Sequence, residues 1–107
     1  MKYHVMMSDD AEADLFDIYT YVASAESSQR AAALLERLEQ AARTLQTNPQ
    51  RGHVPPELLE FGVTEFLEID VKPYRLIYRL ARKRVYIHCV LDGRRDMERL
   101  LQERVLR

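Results

Sequence analysis

Between Glu65 and Asp96 the chain reads EFLEIDVKPYRLIYRLARKRVYIHCVLDGRRD, and no other stretch limits the fold so tightly. Leu67, Ile69 and Val71 alternate with Glu68 and Asp70. Tyr74, Leu76, Tyr78 and Leu80 alternate with Arg75, Ile77 and Arg79. Val85, Ile87, Cys89 and Leu91 alternate with Tyr86, His88 and Val90. A period of two marks half-buried antiparallel strands, one face on a core and the other free. A turn at Lys72-Pro73 or Pro73-Tyr74 puts Leu67, Ile69 and Val71 on the side of Tyr74, Leu76 and Tyr78. A tight turn at Arg82-Lys83 opposes Leu80 to Val85, Tyr78 to Ile87 and Leu76 to Cys89. The other face then gathers Glu68, Asp70, Lys72, Arg75, Arg79, Tyr86 and His88. A one-residue slip would bury those charges, so the register is strongly specified. That polar face, closed at its corner by Arg94 and Arg95, is where function is expected.

The remaining elements follow from period and caps. Lys2 to Met7 is a short strand candidate with Tyr3, Val5 and Met7 on one face. Ser8 or Asp9 caps a helix whose Ala11, Leu15, Ile18 and Val22 share one side, with Asp9, Asp10 and Glu12 at its positive end. Ser24 to Ser28 is a turn. A second helix runs to about Thr47 with Ala31, Leu34, Leu35, Leu38, Ala42 and Leu45 along its stripe, and Asn48-Pro49 ends it. So tight a connection predicts an antiparallel helical hairpin. Residues 48–63 form a surface loop with one helical turn at Pro56 to Leu59. After the turn at Asp92-Gly93, Arg95 to Leu106 carries Met97, Leu100, Leu101 and Val105 on one side of a short helix. The expected fold is a single α+β domain spanning residues 1–107. It has two layers: an antiparallel sheet in β-α-α-β-β-β-α order, with the N-terminal helical hairpin on one face. The first strand is expected beside the middle or last of the three.

At 107 residues the chain is long enough for one core without staples. One cysteine excludes an internal disulfide framework, and no apolar run is long enough to span a bilayer, so the cytoplasm is expected. Charge is unevenly placed: residues 1–70 carry 5 Lys/Arg against 13 Asp/Glu, residues 71–107 carry 11 against 4. That polarity suits an anionic partner for the basic half, or acidic helices packed beside basic strands.

With GHVPPEL, KPYRLIYRL and DGRRDM in this order, the sequence resembles the RelE/ParE superfamily of toxins from bacterial type II toxin–antitoxin pairs over nearly its whole length. The resemblance implies a small α+β toxin held inactive by a cognate antitoxin, which alone contacts operator DNA. RelE-like members cut mRNA on the ribosome, whereas ParE-like members poison DNA gyrase without a recognised catalytic site. Where RelE-like nucleases place two lysines, this chain has Phe66 and Glu68; where they place a tyrosine, it has Leu101. Arg75 and Arg95 match the two nuclease arginines. The ParE-like branch is therefore expected, a growth-inhibiting gyrase binder with no catalytic residues of its own. The alternative is a RelE-like ribosome-dependent ribonuclease. Toxins of the superfamily are usually clearly basic, whereas this chain is close to neutral.

Arg75, Arg79, Arg94 and Arg95 are the expected target-binding residues, since arginine is favoured at interface hot spots. Structural roles compete for them: Arg75 with Asp70 across the strands, and Arg94 or Arg95 with Asp92 or Asp96. For the ribonuclease alternative, Glu68 as base and His88 as acid flank Ile77 at roughly 10 Å, with Arg75 or Arg79 on the phosphate, and the resemblance adds Arg95 to the set. An antitoxin helix or strand is expected in the groove between hairpin and sheet, on Leu15, Tyr19, Leu38, Leu101 and Val105. No cofactor is expected, because the chain has no glycine-rich phosphate loop or nucleophile elbow. No metal is expected either: His88 and Cys89 point to opposite faces of a strand, and His4 and His53 are isolated. Cys89 reads as an inert core thiol.

Overall fold

The structure, a computed structural model, describes residues 2–106. Its elements run β1 (His4–Met7), α1 (Asp9–Ala25), α2 (Ser28–Thr44), α3 (Pro56–Leu59), β2 (Phe66–Val71), β3 (Tyr74–Ala81), β4 (Arg84–Asp92) and α4 (Met97–Arg104). Ser8 begins α1: its Oγ accepts the Ala11 N–H at 3.0 Å and donates to the His88 carbonyl at 2.9 Å. One side chain thus caps the helix and ties it to β4. Ser27 caps α2 through the Arg30 N–H. Only Glu26 and Ser27 separate the two helices, so they fold back on each other and lie across the sheet. Ala11, Leu15 and Ile18 of α1, with Leu34, Leu38 and Ala42 of α2 and Leu45 at its end, meet Ile69, Val71, Tyr74, Leu76, Tyr78, Val85 and Ile87 there. The α+β architecture with the hairpin on one face is as expected.

The strands lie in the order β1-β4-β3-β2. β2, β3 and β4 form an antiparallel meander, while β1 runs parallel to β4, so the sheet is mixed rather than wholly antiparallel. The helical hairpin separates β1 from the meander, and no tight turn dictates its direction. Leu67↔Tyr78, Ile69↔Leu76 and Val71↔Tyr74 pair as the alternation requires.

β3 and β4 begin in the expected register, with Leu80↔Val85 and Tyr78↔Ile87. They then shift: Ile77 opposes Cys89, and Leu76 opposes Val90 instead of Cys89. One extra residue on β4, His88, makes a bulge that reverses the faces beyond it. Val90 now joins the core under the helical hairpin, and Cys89 and Leu91 turn to the opposite side. Cys89 is a core thiol, but in the other core. His88 leans the same way, edge-on to Phe66 at 5.4 Å between ring centroids, so it does not oppose Cys89 across the strand.

That opposite side is not free. Leu58 of α3 and Met97, Leu100 and Leu101 of α4 close over Phe66, Ile77, Cys89 and Leu91 in a second core. Asp96 caps α4 through the Arg99 N–H. Where β1 ends, α1 protects the edge of β4. The Val90 N–H donates to Asp14 Oδ2 at 3.0 Å, and the same oxygen takes Arg104 Nη2 of α4 at 2.8 Å. A carboxylate on one helical layer thus clamps the other across a sheet edge.

The loop before α3 is fastened from beneath. Tyr78, fully buried, donates its hydroxyl to the Pro49 carbonyl at 2.8 Å and accepts the Gly52 N–H at 3.1 Å. His53 then pairs with Glu68 along the outer edge of β2, through backbone bonds of 3.1 and 2.8 Å. A Cβ at Gly52 would lie 2.6 Å from both the Glu68 carbonyl oxygen and the Tyr78 hydroxyl. Gly52→Ala is therefore expected to lower stability by about 1–3 kcal/mol in urea unfolding, the usual cost of overpacking a fixed site. An unchanged midpoint would mean that this loop is not seated on Tyr78.

Candidate functional site

At the centre of the second face, Arg75 of β3 is locked between two acids. Its stem passes over Gly93, where a Cβ would come within 2.9 Å of Arg75 Cδ. Two guanidinium nitrogens donate to the Glu57 carboxylate at 3.0 and 2.7 Å, and Nε donates to Glu68 at 2.5 Å. The other Glu68 oxygen meets His53 Nε2 at 2.9 Å. The Arg75 side chain is 14% exposed and that of Glu68 only 3%. The bidentate bond from Arg75 holds the Glu57 carboxyl below the usual glutamate value, and the same bond raises Arg75 further above its already high one. Asp70 is Arg75's register partner on β2, yet it stays exposed and forms no ion pair among the described residues. Glu57 offers both oxygens to the guanidinium fork, and a buried Glu68 carboxylate needs a cation more than an exposed aspartate does.

Other expected site residues are dispersed. Arg79 is exposed, its guanidinium 5.3 Å from the centre of the Tyr86 ring. Arg94 is exposed but chelates Asp92 through 3.0 and 2.7 Å bonds. That contact lowers the Asp92 carboxyl below its ordinary value. Arg75 and Arg94 share one shallow concavity with Lys72 and Tyr74. Arg95 lines a different one, beside Asp14, Asp17 and Arg104. His88 bonds through Nε2 to the Arg104 carbonyl at 3.1 Å, with Phe66 against its ring. Glu68, Arg75, His88 and Arg95 therefore do not converge on one point. Glu68 and Arg75 satisfy each other, His88 serves α4, and Arg95 faces α1.

The expected antitoxin contacts divide as well. Leu38 and Leu101 are buried at the hearts of the two separate cores, so they hold the fold rather than line a groove. The periodicity placed both on apolar stripes but did not say how deep each stripe lay. Leu15, Tyr19 and Val105 remain partly exposed. Phe16 and Tyr21 on α1 are each 70% exposed, and the sequence reading did not single them out. It also missed Glu57 and His53. The available signal was Glu68 itself, a carboxylate in mid-strand whose neighbours are buried, which requires partners from outside the strand. Among the described residues, no three His, Cys, Asp or Glu side chains gather as a metal site needs. No helix among them is long and apolar enough to cross a membrane.

Residues 5–97 match the family described as the ParE toxin of the type II toxin–antitoxin system, parDE. Two solved structures share the fold. One is the chromosomal ParDE toxin–antitoxin system from P. aeruginosa, at 18% identity and a TM-score of 0.68, covering 83% of this chain and 94% of that one. The other is the toxin–antitoxin complex RelBE2 from Mycobacterium tuberculosis, at 24% identity and a TM-score of 0.58, covering 84% and 96%. No curated protein is significantly similar in sequence.

Two outcomes follow from the locked arginine. Arg75→Met strands the buried Glu68 carboxylate and should cost about 3–5 kcal/mol, whereas Arg75→Met/Glu68→Met should cost less than its two single changes combined. Strict additivity in urea unfolding would mean that the two side chains do not interact. The depressed carboxyl of Glu57 stabilises the fold above the ordinary glutamate value of 4.5, and this contribution disappears as pH falls through the lower folded value. Glu57→Gln should therefore flatten stability against pH in that acid window, measured by thermal unfolding at a series of pH values. An identical acid slope in the variant would show that Glu57 is not paired.

Proposed function

The chain belongs to the ParE toxin family of type II toxin–antitoxin systems, and from that membership we propose that it arrests growth by binding DNA gyrase in the cytoplasm until a cognate antitoxin neutralises it. One observation favours binding over message cleavage. The positions that RelE-like nucleases give to two lysines and a tyrosine are Phe66, Glu68 and Leu101, all buried here. Phe66 and Leu101 lie inside the second core and Glu68 is enclosed by Arg75 and His53, so these side chains do not reach a ribose or a phosphate. Arg75, which matches a nuclease arginine, is already engaged by Glu57 and Glu68.

The target contact is assigned to Arg79, Arg94 and Arg95, which are exposed, with Arg75 supporting Arg94 in the concavity they share. The antitoxin is assigned to α1, where Phe16 and Tyr19 lie three residues apart on neighbouring parts of the helix surface, next to Leu15. A segment continuing to the end of α4 would also meet Val105. Operator DNA is reached through the antitoxin.

Cleavage of mRNA on the ribosome is the second reading, and one feature favours it. His53 is 61% exposed while its ring is held by the buried Glu68 carboxylate, an orientation suited to proton transfer.

Purified protein in excess is expected to block gyrase supercoiling, and antitoxin to restore it. Arg94→Glu/Arg95→Glu should raise the concentration required by about tenfold or more, as loss of interface arginines does. Phe16→Glu should weaken antitoxin binding while leaving gyrase inhibition intact. Unimpeded supercoiling, together with messages cut within minutes of induction and spared by His53→Ala, would replace this reading with the second.

A further inference from the structure

α3 and α4 cover only part of the second sheet face. Toward the β3–β4 turn, His4, Ala81, Arg82, Lys83, Arg84 and Tyr86 line an open concavity of about 520 Å³. Arg79 lies opposite Tyr86 and covers its ring, and His4 lies opposite Arg84. Arg79, Arg82, Lys83 and Arg84 thus put four cations within a short span of chain. None of the four forms an ion pair among the described residues. Arg30, Arg75, Arg94, Arg99 and Arg104 elsewhere each hold an acidic partner.

The backbone of the turn supplies a second observation. Arg82 is held at φ 58°, in the left-handed region. Two-residue hairpin loops ordinarily place glycine, asparagine or aspartate at such a position. Here a long cation occupies it, followed by two more. Strain kept where glycine would relieve it is a feature of functional surfaces, and what these three side chains have in common is positive charge.

We infer that this hairpin tip is a sequence-independent binding surface for the phosphate backbone of duplex nucleic acid. Guanidinium and ammonium groups suit phosphate oxygens. The concavity is lined by three cations, with Ala81 as its one small aliphatic side chain, so recognition there is by charge, and an acidic peptide is the competing occupant that poly-glutamate reads. Tyr86 is not a free platform for an unstacked base either, because Arg79 already lies over it. The near-neutral total charge does not oppose this. Acids lie at its margins: α1 begins at Asp9 beside Ile87, three residues or about 10 Å along β4 from Arg84, and Glu65 shares a concavity with Leu80. Screening at 0.1 M salt acts over about 10 Å, and among the described residues neither acid pairs with a cation of the tip, so the tip keeps a positive field.

The test is fluorescence anisotropy of a labelled 20-base-pair DNA duplex with the whole chain across a salt series, with labelled poly-glutamate and single-stranded DNA as parallel probes. Duplex binding is expected, with log K falling against log salt at a slope of about −3 to −4. Arg82→Gln/Lys83→Gln/Arg84→Gln should weaken binding more than tenfold and reduce the slope by about 3, with an unchanged unfolding midpoint. Arg99→Gln, a cation on α4, should change neither. No duplex binding at low salt, an unaltered slope in the triple variant, or tighter binding of poly-glutamate or of single strands would overturn the inference. Gyrase is absent from this measurement, and the triple variant carried into the supercoiling assay separates the two readings: inhibition retained without duplex binding comes through gyrase, inhibition lost with it comes through the DNA.

Discussion

Everything on the second face depends on the single extra residue in β4. Without it, strict alternation would send Cys89 and Leu91 under the helical hairpin and leave Val90 outside. With it, Tyr78 still pairs with Ile87, yet Ile77 pairs with Cys89, and β4 buries apolar side chains on both sides. That gives α3 and α4 an apolar surface on which to settle, where a one-sided sheet would have presented charge. The second core in turn positions Leu58, and with it the short helix that carries Glu57 to Arg75.

The polar face consequently divides into two regions with different electrostatics. Near α3 and α4 the charges are enclosed and mutually satisfied: Arg75 is shared by Glu57 and Glu68, and Glu68 is also held by His53. Buried ion pairs of this kind contribute little net stability, because desolvation offsets their attraction, but losing one partner is costly. Toward the β3–β4 turn, Arg79 and the three cations after it have no acidic partners among the described residues and face solvent. Charge of one sign in the open is available to a partner; charge already neutralised inside the protein is not. The same distinction separates Arg95, which lines its own concavity beside α1, from Arg94, which is chelated by Asp92.

Much of this was legible in the residues. Alternation gave the meander and its first turn, serines marked both helix starts, and Pro56 to Leu59 showed its helical turn inside a proline-rich loop. The bulge was not legible from a strict period of two, because packing on the far side decides it. Its trace was nonetheless present in Cys89-Val90-Leu91 and Leu76-Ile77-Tyr78, runs of three buried residues that a strand with one wet face does not need. Arg75 reads as a target-binding residue with Asp70 as its competing partner because strand register reports near neighbours only, whereas Glu57 arrives from the short helix α3. Leu38 and Leu101 read as groove residues because an apolar stripe looks the same whether a partner chain or the protein's own sheet covers it.

The lone cysteine tests the central claim directly. Cys89 lies beneath α4 with no solvent exposure, and burial pushes its thiol pKa up to about 12. If the bulge turns β4 into a strand buried on both faces, a thiol reagent in native buffer will label neither Cys89 nor, in the Cys89→Ala chain, a Val90→Cys thiol faster than the whole chain unfolds. Labelling at the rate of an exposed cysteine, while circular dichroism remains that of the folded protein, would mean that the second face is open and α4 does not rest on it.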